Sequence, residues 1–81
     1  MKVMNGLRIF IRPDRGPIED NVFYSQRRHG PVYRWHYEKR LASWHVTRVD
    51  ASHWNLHELS TTRWQLVPQE LQAKLSEHYI E

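Results

Sequence analysis

Four tryptophans, Trp35, Trp44, Trp54 and Trp64, recur at intervals of nine or ten residues, and each opens a triplet of indole, polar residue and apolar residue. The triplets read Trp35-His36-Tyr37, Trp44-His45-Val46, Trp54-Asn55-Leu56 and Trp64-Gln65-Leu66. A period of two places the outer members of each triplet on one side of an extended chain and the middle member on the other. The interval suits one short strand plus one turn. The pattern therefore predicts a meander of four strands with an aromatic face and a polar face, the polar one carrying His36, His45, Asn55 and Gln65.

A register follows if Lys39 to Ala42 form a four-residue connection. Glu38 then faces Ser43, Tyr37 faces Trp44, His36 faces His45, Trp35 faces Val46 and Arg34 faces Thr47. Three-residue turns at Asp50-Ala51-Ser52 and Leu59-Ser60-Thr61 keep Trp54, Leu56, Trp64 and Leu66 on the aromatic side. Two-residue turns would reverse the later strands.

Ahead of this region, Leu7-Arg8-Ile9-Phe10-Ile11-Arg12 alternates and then stops at Pro13-Asp14-Arg15-Gly16-Pro17, which reads as a strand and a loop. Asn21 to Arg28, with Val22, Phe23 and Tyr24, reads as a further strand ended by His29-Gly30-Pro31. Behind it, Pro68 suits a first helical position, Glu70 suits the first turn, and Leu71, Leu75 and Tyr79 repeat at four-residue spacing. A helix of about three turns is too short to persist alone in water, so its apolar stripe should pack on the tryptophan face. The expected fold is α+β: an antiparallel β-meander of four to six strands with one C-terminal helix packed on one face, an open sheet and one curled toward a small barrel being its two alternative forms.

Chain length enters through the core. With 81 residues the expectation is one small domain, 1–81, burying roughly 60% of the surface its unfolded chain exposes. Large rings must supply much of that burial, which assigns Trp35, Trp44 and Trp64 to the core. Trp54 or Tyr24 becomes the exposed anchor if the helix leaves one end of the sheet bare. The chain has no cysteine, so no disulfide or thiolate zinc site supports it, and a reducing, cytoplasmic setting is expected. Residues 1–11 lack the features of a secretory signal, and no run approaches the roughly 20 apolar residues of a membrane span, so no membrane partner is expected.

The net charge is +3, mostly from arginine, and six histidines allow mild acidification to add positive charge. In the expected register the polar face gathers Arg34, His36, His45, Thr47, Asn55, His57, Arg63 and Gln65, with no carboxylate among them. Such a face is equipped to bind phosphates through arginine while imidazole and amide groups contact sugars or bases. Arg27 and Arg28, in the basic segment that ends at Pro31, form a candidate loop clamp, diluted by Asp14, Glu19 and Asp20. The plainer account of both features is a solvated face and a solubilising loop.

The reading that follows is a small non-enzymatic cytosolic module that binds nucleic acid or another anionic partner through a basic, histidine-rich face. One alternative is a protein-interaction module or homo-oligomeric subunit that uses exposed aromatics or a strand edge. Another is a metal-independent ribonuclease, with histidines as acid and base and Arg34 or Arg63 stabilising charge. His36 beside His45, and His53 with His57, are two candidate metal pairs, but neither shows a complete ligand shell and His53 lacks the following glutamate of helical zinc motifs. No metal, cofactor or catalytic residue is assigned. The chain carries no phosphate-cradling glycine loop and no nucleophile elbow.

Overall fold

The computed structural model describes residues 4–11, 21–50 and 60–80. Five strands, β1 (Leu7–Ile11), β2 (Val22–Arg27), β3 (Val32–Glu38), β4 (Ser43–Val49) and β5 (Ser60–Thr61), precede a 3-10 turn at Trp64–Leu66 and helix α1 (Gln69–His78). They form a single sheet in the order β4-β3-β2-β1-β5, with every neighbouring pair antiparallel.

The β3–β4 hairpin has the register that loop length and alternation dictate. Glu38 pairs with Ser43, Tyr37 with Trp44, His36 with His45, Trp35 with Val46 and Arg34 with Thr47. Within the connection, Leu41 N–H donates to Glu38 O at 3.2 Å and Ala42 N–H donates to Lys39 O at 3.3 Å. Ala42 closes the turn at φ 47°.

On one side of the sheet, Ile9, Trp35 and Trp44 pack with Val67, Leu71 and Leu75 to form the main core. Leu71 and Leu75 have no exposed surface, as an i, i+4 stripe facing a sheet requires. Burying each stabilises the domain by roughly 1.5–3 kcal/mol. The far end of α1 is tied down by polar contacts as well. Trp35 Nε1 donates to Ser25 Oγ at 2.9 Å, and the same oxygen lies 2.7 Å from the Tyr79 hydroxyl. At the near end, Pro68 precedes the helix as its N-cap instead of opening it, and its carbonyl accepts the Gln72 N–H at 2.9 Å. The Gln72 side-chain amide also bonds Trp64 O and Val67 O, at 3.0 and 2.8 Å, fastening α1 to the 3-10 turn.

Three expectations are corrected and one alternative is decided. First, Trp64-Gln65-Leu66 is not a strand: Leu66 N–H bonds Arg63 O and Val67 N–H bonds Trp64 O, at 3.0 and 3.1 Å. With three residues per turn, the position that shares a side with Trp64 is Val67 and not Leu66. Val67 is accordingly 2% exposed and Leu66 71% exposed.

Second, among the described residues, the chain after β4 adds its strand at the other edge of the sheet and not beside β4. Ser60 and Thr61 pair with Ile11 and Phe10 at the opposite edge. Trp54, Asn55, His53 and His57 lie outside the described residues. Third, β4 and β5 stay at opposite edges of the order, so the sheet is open and not a barrel.

Fourth, the reverse side is not uniformly polar. Phe10, Tyr24 and Val32 form a second buried cluster there, with Val22 and Val49 packed against it. Phe10 and Tyr24 are directly paired across β1 and β2. Central β2 thus carries apolar residues on both faces, which explains why Val22-Phe23-Tyr24 reads as a continuous apolar run. Among the described residues, no helix is long and apolar enough to cross a membrane.

A basic histidine-bearing face and two grooves at the sheet end

The side of β3 and β4 turned away from α1 is set by parity. Trp35 and Trp44 point into the main core, so Arg34, His36, His45 and Thr47 emerge on the reverse. His36 and His45 are directly opposed, as are Arg34 and Thr47. His45 and Thr47 are exposed, while Arg34 and His36 are half-buried. The apolar cluster of Phe10, Tyr24 and Val32 occupies the neighbouring part of this side, and Arg8 lies over the Phe10 ring at 4.9 Å. The β3–β4 half holds the paired polar set, while Arg8 and the buried Gln26 are the polar residues of the same parity on β1 and β2.

That half also carries an acid. Glu38 has the parity of His36 and Arg34, two and four residues away, so the expectation of a carboxylate-free face is corrected. Its Oε1 accepts the Arg40 N–H at 3.4 Å, which draws the carboxylate toward the hairpin tip. The signal was available in the sequence, since the expected register already placed Glu38 opposite Ser43.

An open groove of about 490 Å³ runs along this end of the sheet, lined by Asn21, Arg34, His36, Tyr37, Glu38 and Lys39 among others. A second open groove of about 490 Å³ adjoins it on the helix side, lined by Asn21, Tyr37, Trp44, Pro68, Gln69 and Glu70. Asn21 and Tyr37 belong to both. They are held together by the Tyr37 N–H, which donates to Asn21 O at 2.9 Å. The Tyr37 ring in turn meets Trp44 with centroids 5.4 Å apart, so the aromatic wall is buttressed from the core.

Other residues of the expected site lie elsewhere. Arg63 and Gln65, both exposed, line a separate depression of about 640 Å³ with Ile11, Thr61, Thr62 and Leu66. It sits at the β1–β5 edge, across the sheet from β4. Asn55 and His57 lie outside the described residues. Arg27 shares the parity of Ser25 and so belongs to the helix side, where its charge reaches the Tyr79 hydroxyl. Arg28 sits in the β2–β3 turn, at the far end of β3 from Glu38.

Both Arg28 and His29 adopt left-handed backbone, at φ 49° and 60°. For residues with a Cβ this costs about 1–2 kcal/mol each. The turn is pinned by Gly30 N–H to Arg27 O at 2.9 Å, by Arg28 N–H to Gly6 O at 3.3 Å, and by the Gln26 amide on Gly30 O at 3.0 Å. Gly6 is needed at φ 79°, because a Cβ there would lie 2.7 Å from Arg28 Cγ.

The side chains on this face supply charge and hydrogen-bonding groups. Among the described residues, no group of three or more His, Cys, Asp or Glu side chains is placed to hold a metal ion, so the opposed His36 and His45 have no third ligand there. His45 Nε2 contacts Ser43 Oγ at 3.2 Å, in an exposed contact between residues two apart on one strand. His78 belongs to the other side, edge-on to Tyr33 and Trp35 at 4.5 and 5.3 Å. The clearest displaced ionisation is structural: burial pushes the Tyr79 hydroxyl pKa up, while the Ser25 hydrogen bond opposes the shift.

The fold and site define a small α+β module whose open sheet face is separate from its helix-covered core. Comparison with protein families, with curated proteins and with solved structures produced no match. The functional reading therefore rests on the geometry.

Proposed function

We propose that this protein is a non-enzymatic binding module that takes nucleic acid on the reverse side of β3 and β4. The observation that carries the reading is the pairing of Arg34 with Thr47 and of His36 with His45 on one open surface beside Lys39. Arginine and lysine supply phosphate attraction, and the imidazole and hydroxyl groups supply hydrogen bonds to sugar and base. The absence of cysteine suits a cytosolic setting for such a module.

The test is oligonucleotide binding by fluorescence anisotropy across a salt series, with circular dichroism confirming the fold. Arg34→Ala weakens binding and reduces the salt slope by about one. Arg63→Ala, at the far edge of the sheet, leaves both unchanged. Absence of binding by the wild-type protein at low salt overturns the proposal.

A second reading is favoured by one feature. Strand β4 has a neighbour on one side only among the described residues, and Val46 is 40% exposed. The Tyr37 N–H points toward β2, so its partner Trp44, and with it Val46 and Arg48, direct their peptide groups outward. An extended segment of a protein partner, or β4 of a second copy, fits that edge. Val46→Pro removes an outward N–H without breaking the β3 ladder. A concentration-dependent mass that Val46→Pro abolishes supports the edge reading, and a mass that stays monomeric at millimolar concentration refutes self-pairing.

A further inference from the structure

The two grooves at the Asn21 end of the sheet differ in chemistry but share a wall. The first holds Arg34, His36 and Lys39, the second holds Tyr37, Trp44 and Pro68, and Asn21 with Tyr37 forms the ridge between them. A ligand that bridges the ridge must be anionic at one end and flat and apolar at the other, with polar groups between. We infer that the occupant is a single-stranded nucleic acid, with the phosphate of one nucleotide on Arg34 and Lys39 and its base against the Tyr37 ring. This rests on the proposed nucleic-acid reading and narrows it to a strand form and a docking point.

Three features support that assignment. Tyr37 is half-buried, its backbone is anchored to Asn21 and its ring is backed by Trp44, so its ring is held in place before a base arrives. Asn21, on the ridge, offers both a donor and an acceptor where the sugar would cross. The acids are placed consistently as well. Glu38 and Glu70 stand in the walls of the two grooves, where a carboxylate accepts from a sugar hydroxyl or a base amino group and repels a second phosphate. A duplex cannot use this site, because its bases are stacked away from the groove that receives the backbone, whereas an unpaired base can swing over the ridge.

The experiment compares three probes on the full chain at low salt: a short labelled oligoadenylate, the same backbone with abasic sites, and a duplex of equal length. The wild-type protein binds the oligoadenylate roughly tenfold more tightly than the abasic strand, the usual weight of one stacked base. Tyr37→Leu removes that difference and Tyr37→Phe keeps it, while Arg34→Ala weakens both single strands. Equal affinity of the wild-type protein for the oligoadenylate and the abasic strand, or tighter binding of the duplex, overturns the inference while leaving phosphate binding in place. Absence of binding to all three overturns both readings. The wild-type comparison decides the matter even if Tyr37→Leu fails to fold.

Discussion

Replacing Ser25 with alanine removes one oxygen atom, and the structure says how much that should matter. Ser25 has no exposed surface and Trp35 is 2% exposed. The Trp35 indole N–H has Ser25 Oγ as its acceptor at 2.9 Å, and the Tyr79 hydroxyl shares that oxygen at 2.7 Å. Loss of the acceptor strands a buried donor, at about 1–3 kcal/mol. Tyr79 is only half-buried and can turn to water, so it adds about 1 kcal/mol or less. The expected total is about 2–3 kcal/mol, a large share of the roughly 4–12 kcal/mol that a chain of this length can hold. In a thermal scan it should lower Tm by about 10–20 °C.

The assay is urea unfolding followed by circular dichroism, repeated for Tyr79→Phe and for the double variant. Tyr79→Phe alone should cost about 1 kcal/mol, because it removes one bond and leaves Trp35 satisfied. The double variant should cost less than the sum of the two singles, since each orphans a group that the other deletes. A Ser25→Ala protein within 0.5 kcal/mol of wild type, with an unchanged urea slope, would refute the account of how α1 is fastened to the sheet.

Further expectations concern the same fold. Burial, opposed by Ser25 and by the Arg27 charge, raises the Tyr79 pKa above its ordinary value of 10.0. The folded state therefore holds this proton more tightly than the unfolded one, and the associated stability is fully present below about pH 10 and is lost as pH rises through the folded value. The difference in alkaline unfolding between wild type and Tyr79→Phe should show this, and identical slopes would contradict it. Exchanging Arg28-His29 for Asn-Gly should stabilise the protein by about 1–2 kcal/mol, because both positions are left-handed. A destabilised variant would mean that the native side chains contribute more than the backbone strain costs. Val67→Ala should cost about 1–3 kcal/mol and Leu66→Ala less than 0.5 kcal/mol. Reversed costs would restore a strand through Trp64.

The candidate surface was legible wherever its placement depended on local periodicity. Arg34, His36, His45 and Thr47 share a face because alternation and a four-residue connection leave no other register for the hairpin. Lys39 and Asn21 joined them only through packing, since nothing in the spacing relates Asn21 to the end of β3. Arg63 and Gln65 were misplaced because Trp-Gln-Leu has the same apolar spacing in a strand as in the triplets before it. What separates it from a strand is the 3-10 turn, in which Leu66 N–H and Val67 N–H bond Arg63 O and Trp64 O.

Taken alone, the order of residues determined the β3–β4 register, the strand at Leu7–Ile11 and the helical stripe of Leu71 and Leu75, each the product of contacts between near neighbours or of a period matched to one element. Tertiary structure decided the rest. It sent Ser60–Thr61 to the β1 edge, turned Trp64 into a 3-10 bend so that α1 could lie on the tryptophan face, and buried Phe10, Tyr24 and Val32 on the other side. Those outcomes depend on which distant segments compete for the same apolar surface, and one-dimensional spacing carries no information about that competition.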